Sequence, residues 1–185
     1  VNVAAGLALA GRRVLLVDVD TQGQSAKHLG CAPTFGLAEV ATGEAPPEQA
    51  LTRARDKLDL LGGGRGLASL KRLITRKDFG GEQTLTEALA PLDNAYDFVI
   101  LDTAPGWDAL SVNALFYATE VLTPVSLEVM TLQSLLDFNQ SLAAVQRYHA
   151  ELALRYVLPT FHDRRVRKSD EILAQLATHF GSRLC

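Results

Sequence analysis

Two apolar runs that each end in an aspartate constrain the fold of this 185-residue chain more than any other feature. Residues 13–18 read RVLLVD and residues 96–102 read YDFVILD. An apolar stretch without alternation suits a strand buried on both faces, and such strands belong to parallel sheets covered by helices. Further short runs lie at 58–62 (LDLLG), 120–125 (EVLTPV) and 154–159, the last inside ELALRYVLPT. Between them the apolar spacing becomes helical. GLASLKRLI, EQTLTEALAPL, about Ala109 to Ala118, Leu132 to His149 and EILAQLATHFG all read as helices, and the fourth sets Leu132, Leu135, Leu136, Leu142 and Val145 on one broad face. LAEVATG and PPEQALTRA predict two short helices separated by Gly43, Pro46 and Pro47. Strands alternating with helices mean parallel βα units, so the expected class is α/β: a doubly wound, mostly parallel sheet with helices on both faces. No repeat, linker or low-complexity stretch divides residues 1–185, and a single domain is expected.

Composition removes several classes. Hydrophobic residues at 48%, charged residues at 21% and only 2 Cys exclude a disordered, collagen-like or disulfide-stapled chain. No apolar run is long enough to span a bilayer. A net charge of −3 argues against coating nucleic acid with the whole surface and leaves room for a local basic patch. Cys31 and Cys185 sit in no metal-ligand spacing, and a reducing, cytoplasmic compartment is the expectation. His28, His149, His162 and His179 are scattered and take no role. The opening VNVAAGLALAGRR reads as a packed helix through Val3, Leu7 and Leu9, ended by Gly11. Its positive charges follow the apolar stretch, the reverse of a signal peptide. A helix that starts without a cap or preceding turn predicts a sequence truncated at its N-terminus.

In an open parallel sheet, ligands bind at the carboxyl ends of the strands. Strand 13–18 delivers Asp18 and, two residues on, Asp20; strand 96–102 delivers Asp102; the loop after strand 154–159 carries Asp163 among four cations. An aspartate ending a buried strand is a natural magnesium ligand, and the Gly that follows lets the loop respond to a phosphate. Alone that pattern is weak, because such an Asp also caps helices. VLLVDVDTQGQS is more specific: acids two apart on extended backbone point the same way, so one can orient water while the other faces the metal. Its structural alternative is a surface turn.

VNVAAGLALAGRRVLLVDVDTQGQS resembles the segment that follows the phosphate loop in ParA/Soj-type partition ATPases, the MinD-related family with a deviant Walker A motif. The resemblance continues through YDFVILDTAPG, SVNAL, VLTPV and LPTFHDRR…HFGSRL, covering nearly the whole chain in order. It implies a P-loop NTPase-like fold, ATP and Mg2+ as cofactors, and an ATP-dependent homodimer. That dimer would hold nonspecific DNA and release it on hydrolysis stimulated by a ParB-like partner, in the cytoplasm on the nucleoid, with no membrane attachment. Residue by residue, the resemblance makes Asp20 the water-activating acid. Asp18 becomes the acid near magnesium and the dimer contact, and Asp102 the Walker B aspartate. Thr103, Ala104, Pro105 and Gly106 become switch II. Asn113 matches an Asn on the following helix, and Thr160 and Asp163 lie where the adenine-side loop begins. Arg165 falls on a DNA-holding arginine, in a basic patch with Arg164, Arg167 and Lys168.

The chain also departs from that pattern. Thr21 replaces the usual Pro of the PQG turn, and VSLEVMTLQSL replaces a P-x-x-E-x-x-A-L-E-G run with Pro124 and Glu128 kept in register. No phosphate-loop lysine occurs, and GGGRG at 62–66 lacks GK[ST] and follows the wrong strand, so it is expected to be a flexible turn. The piece is expected to be inactive by itself, cut just after its phosphate loop and again before the family's second DNA-contacting region. The four cations 164–168 fit either a solvated turn or a phosphate-contacting patch, and the resemblance favours DNA. The aromatics Tyr96, Phe98, Trp107, Phe116 and Tyr117 are expected in the core or beside switch II. A MinD-like cell-division regulator and a non-hydrolytic nucleotide- or DNA-binding relative stay open as alternatives. A nitrogenase iron-protein type would need cluster-ligating cysteines, for which Cys31 and Cys185 are not placed.

Overall fold

The computed structural model describes residues 1–162, 165 and 167–185, without the side chains of residues 129–132. In chain order the elements are α1 (Asn2–Leu9), β1 (Val14–Asp18), α2 (Gln24–Leu29), α3 (Leu37–Thr42), α4 (Pro47–Ala50), β2 (Leu51–Arg55), β3 (Leu58–Leu61), α5 (Gly66–Arg76), α6 (Thr84–Leu89), β4 (Phe98–Asp102), α7 (Ala109–Tyr117), β5 (Glu120–Ser126), α8 (Val129–Gln146), β6 (Ala153–Thr160) and α9 (Arg167–Phe180). Single 3-10 turns lie at Gly81–Gln83, Ala90–Leu92 and Gly181–Arg183. The chain divides into two compact units, Val1–Tyr117 and Ala118–Cys185.

In the first unit four strands run in the order β2-β3-β1-β4. β1 is parallel to β3 and to β4, while β2 is antiparallel to β3. Every residue of β1 is buried, as its unbroken apolar run requires. Successive side chains leave a strand on opposite faces. Leu15 and Val17 therefore join a core with Val40, Leu67, Leu70, Ile74, Leu85 and Leu110, while Val14 and Leu16 join another with Ala4, Ala8 and Leu29. Helices α3, α5, α6 and α7 thus cover one face and α1 and α2 the other, the doubly wound arrangement expected. Each fully buried Leu of this sheet contributes about 1.5–3 kcal/mol of transfer free energy.

The stretch PPEQALTRA is not one helix. Pro47 opens a helix of only four residues, after which Leu51–Arg55 pairs with β3. Backbone pairing and the Arg53–Asp59 ion pair at 2.9 Å override a local pattern that reads as helical. Lys57 adopts φ 56° in the two-residue connection between these strands.

In the second unit β5 and β6 are parallel, from Glu120↔Ala153 to Ser126↔Thr160, with one shift after Val121. Leu135, Leu142 and Val145 of α8 are buried, as are Ile172, Leu176 and Phe180 of α9. The side chain of Leu132, expected on the same face of α8, lies outside those described. Leu136, also expected there, is 45% exposed, because the buried positions follow the 3.6-residue period from Leu135 and leave its neighbour outside.

Asn113 is the polar lock of the first unit. Its side chain is almost wholly buried; Oδ1 accepts the Leu85 N–H (3.1 Å) and Nδ2 donates to the carbonyls of Gly81 (3.0 Å) and Ala109 (2.9 Å). The Gly81 carbonyl also accepts from Thr84 Oγ1, so the Leu85 N–H is the group an Asn113→Ala change would strand. That substitution is expected to lower unfolding free energy by about 1–3 kcal/mol, read by urea denaturation.

Candidate functional site

The parallel pairing of β1 with β4 sets Asp18 opposite Asp102 at the carboxyl edge of the sheet, where the Val19 N–H donates to the Asp102 carbonyl at 2.8 Å. Beyond β1 the chain turns through Thr21 and Gln22 into α2. Ser25, in the first turn of that helix, joins the two acids. Its N–H donates to Asp18 Oδ2 (3.0 Å) and its hydroxyl to Asp102 Oδ2 (2.7 Å). Asp18 Oδ1 accepts the Asp20 N–H at 3.0 Å, and Asp20 Oδ1 accepts the Gln22 N–H at 2.9 Å. The structure therefore brings Asp18, Asp20 and Asp102 together, as their spacing predicted. Ser25 was visible in the DTQGQS run, but nothing in sequence marked it as the link between strands.

The acids differ in environment. Asp18 is 1% exposed, and burial, with smaller contributions from the charges of Asp102 and Asp20, pushes its carboxyl above the usual aspartate range against the opposing hydrogen bonds from Asp20 and Ser25. Asp102 is partly open, its side chain 45% exposed, with the start of α1 beside it (Val1 nitrogen 3.9 Å from Oδ2). The donors converging here are carboxylate and hydroxyl oxygens, the hard ligands that magnesium takes. Among the described residues no group of three His, Cys, Asp or Glu side chains could hold a metal alone. Magnesium sites that use one or two carboxylates, with phosphate and water completing the shell, need no such group.

The GGGRG run is a packed clasp, not the flexible turn expected. Gly62 is buried and its carbonyl accepts the Leu37 N–H at 2.8 Å; the Gly64 N–H donates to the Asp20 carbonyl at 3.0 Å. A Cβ on Gly63 would lie 2.5 Å from the Asp18 carbonyl oxygen, 2.8 Å from Asp18 Oδ1 and 2.8 Å from the Asp20 carbonyl. Only a residue without a side chain lets this turn lie against both acids.

After β4, Thr103, Ala104, Pro105 and Gly106 form a loop whose Thr103, Pro105 and Gly106 are exposed; Gly106 has φ 124°. Asp108 closes this loop. Its Oδ1 caps α7 through the N–H groups of Leu110 (2.9 Å) and Ser111 (3.0 Å), and Oδ2 meets Lys71 Nζ of α5 at 2.8 Å. Partial burial opposes ionisation of Asp108, yet Lys71 and the capped N–H groups hold its carboxyl below the usual range. Phe98, expected in the core or beside switch II, opens the edge strand β4 and is 42% exposed, whereas Trp107 directly follows the Thr103–Gly106 loop, one of the two placements expected, and is 46% exposed. Tyr96 and Tyr117 are partly buried, their hydroxyls donating to Asp59 (2.9 Å) and Asp93 (2.6 Å).

In the second unit, Thr160 ends β6 and Phe161 follows with φ 56°. Asp163 and Arg164 lie outside the described residues. Arg165 is exposed. Arg167 and Lys168 are in the first turn of α9 rather than in a loop, with Arg167 paired to Glu171 at 3.2 Å. His162 is held by Asp170 at 2.8 Å.

The clasp can be tested. Gly63→Ala is expected to cost about 1–3 kcal/mol of stability, as overpacking does, because Asp18 and Asp20 must shift. Gly6→Ala, at a helical position with nothing near its added methyl, is expected to add about 0.5–1 kcal/mol. Thermal and urea unfolding of the two variants measure the contrast.

A family model described as AAA domain matches residues 1–154. Along its whole length the chain is 34% identical to the chromosome-partitioning ATPase Soj of Thermus thermophilus, covering 71% of that protein. It is 28% identical to the chromosome partitioning protein ParA of Caulobacter vibrioides, again covering 71%. Among solved structures, a Mycobacterium smegmatis protein named cobyrinic acid a,c-diamide synthase, with ADP and magnesium bound, superposes with a TM-score of 0.88 at 33% identity, over 97% of this chain and 74% of that one. A plasmid partition protein of Borrelia burgdorferi has the same fold, with a TM-score of 0.83 at 23% identity over 98% of this chain and 78% of that one. With its acids gathered at one sheet edge and these relatives along its length, the chain belongs to the AAA-domain family of ParA/Soj-type partition ATPases.

Proposed function

We propose that the acidic edge of the first unit is the ATPase centre of a protein that partitions plasmid or chromosomal DNA. The observation that carries this reading is the Asp18–Ser25–Asp102 knot with Asp20 beside it. Asp102 and Asp18 are the residues that would hold Mg2+, directly or through water. When bound, the ion supplies divalent charge that offsets both the carboxylates and the nucleotide phosphates. Asp20 is more open than Asp18, and it orients the attacking water and takes its proton. The exposed loop Thr103–Gly106 acts as switch II, free to follow the γ-phosphate because Gly106 tolerates a left-handed backbone. The resemblance assigns Thr160 and Asp163 to the adenine-side loop.

The same reading gives the protein a cycle. An ATP-bound homodimer holds nonspecific DNA through Arg164, Arg165, Arg167 and Lys168, and hydrolysis stimulated by a ParB-like partner releases it. The place of action is the nucleoid; among the described residues no helix is long and apolar enough to cross a membrane.

The test uses the full-length protein. Asp20→Ala is expected to lower DNA-stimulated ATP hydrolysis by about 100-fold or more while nucleotide binding persists. Hydrolysis at the parent rate would remove Asp20 from the chemistry, and no hydrolysis in the parent would favour a non-hydrolytic relative. Arg165→Ala is expected to weaken duplex binding at every sequence alike and to flatten its salt dependence by about one unit. Unchanged binding would return the loop to a solvated turn.

A further inference from the structure

We infer that the outer face of α5 is a second phosphate-contacting surface, a track for the backbone of nucleic acid carried by Arg65, Arg72 and Arg76. Helix α5 runs Gly66–Arg76, with Arg65 at its N-cap. Its buried residues are Leu67, Leu70 and Ile74. At 100° per residue these three centre on one side, and positions 65, 69, 72 and 76 fall within about 60° of one another on the opposite side. Arg65, Arg72 and Arg76 are all exposed. The solvent side of this helix is thus an arginine stripe with Ser69 inside it.

Three observations separate this stripe from an ordinary solvated face. First, exposed helix faces usually interleave both signs of charge, yet from Leu60 to Lys77 the chain has no Asp or Glu and five cations: Arg65, Lys71, Arg72, Arg76 and Lys77. Lys71 and Lys77 are occupied by Asp108 and Thr84, both at 2.9 Å or less. Second, among the described residues none of the three arginines forms an ion pair; Arg72 donates only to Ser69 Oγ, at 3.1 Å. Of the acids on the elements packed beside α5, Glu39 is bonded to the Gly36 N–H and Asp108 to Lys71 and the α7 cap, and Glu82, on the Gly81–Gln83 turn, forms an ion pair with none of the three arginines. Third, Arg65 stands at the positive end of the helix dipole with no acid in the first turn. That placement opposes helix stability and is relieved by an external anion.

The chemistry of the stripe selects its partner. Guanidinium groups bind phosphate with two parallel hydrogen bonds. At about 1.5 Å per residue the three span roughly 16 Å, or about five phosphates of one strand at roughly 3.4 Å axial rise. A protein interface is built round a desolvated apolar or aromatic anchor. The centre of this stripe has none, and Leu73 flanks it, half exposed. A polyanion read by charge alone fits better than an acidic protein. The surface shares with the proposed function the premise that the protein meets DNA, but it lies in the first unit and does not depend on residues 164–168.

The experiment is fluorescence anisotropy of the 185-residue chain with a labelled random-sequence duplex of about 30 base pairs, from 50 to 300 mM salt. Three variants are compared: Arg65→Ala/Arg72→Ala/Arg76→Ala, the same three positions changed to Lys, and Arg165→Ala/Arg167→Ala/Lys168→Ala. All three α5 positions face solvent and Ala favours helix, so an unchanged melting curve verifies the fold. The α5 alanine variant is expected to bind at least about tenfold more weakly, with a salt slope smaller by about 2–3 units, and the lysine variant to recover most of the affinity. Equal affinity and slope in the α5 alanine variant overturns the inference, whatever the second-unit variant does. Competition by polyglutamate as effective as that by DNA at equal charge overturns it in favour of an acidic protein partner. Loss of binding in the second-unit variant alone would also overturn it while leaving the proposed function standing. No duplex binding by the parent chain at 50 mM salt would remove this surface without touching the ATPase reading.

Discussion

The parallel pairing of β1 with β4 is the constraint on which the first unit depends. It sets two carboxylates opposite each other at the end of a sheet, one of them almost wholly buried. A buried carboxylate is tolerated only when its lone pairs are filled and its charge is answered. Two backbone N–H groups, from Asp20 and Ser25, fill Asp18, and the Ser25 hydroxyl ties Asp102 to the same helix turn. The tight turn after β1 follows from this, because α2 must begin close enough for Ser25 to reach both strands.

The glycines of the β3–α5 turn extend the same logic. The turn lies against the backbone of Asp18 and Asp20, so the third strand of the sheet braces the acids from a side the first two cannot reach. Helix α5 leaves this turn and, through Lys71, meets the Asp108 cap at the end of the loop that follows Asp102. One continuous set of contacts therefore runs from the buried acid to the loop beyond β4. A shift in that loop has a physical route to α5, through an ion pair and a helix cap. The outward face of α5 is left to its arginines.

Much of this was legible in the chain itself. Unbroken apolar runs located β1, β3 and β4, because a strand buried on both faces cannot alternate, and their aspartates fell at the edge where ligands bind. Asp18 and Asp20 followed from the two-residue repeat of extended backbone. Ser25 and Gly63 carried no such signal, since their roles come from groups 77 and 45 residues away in sequence, on other strands. The helix expected through PPEQALTRA failed for a related reason: pairing with β3 is a long-range interaction that a local pattern cannot show. Leu136 and Phe98 were expected to pack inward on hydrophobicity, yet the apolar stripe of a helix is narrow and an edge strand has a neighbour on only one of its sides.

Residue order by itself determined the class of fold through periodicity, pointed by resemblance to the partition ATPases, and set Asp18, Asp20 and Asp102 at one sheet edge, because these patterns are local properties of the chain. Tertiary structure alone decided how those acids are held. It showed that a serine links them and that a glycine run braces them. It also showed that a helix read only as amphipathic leaves three arginines exposed along its solvent side. These are consequences of which distant backbone segments come within about 3 Å of one another, the range over which hydrogen bonds and steric exclusion act.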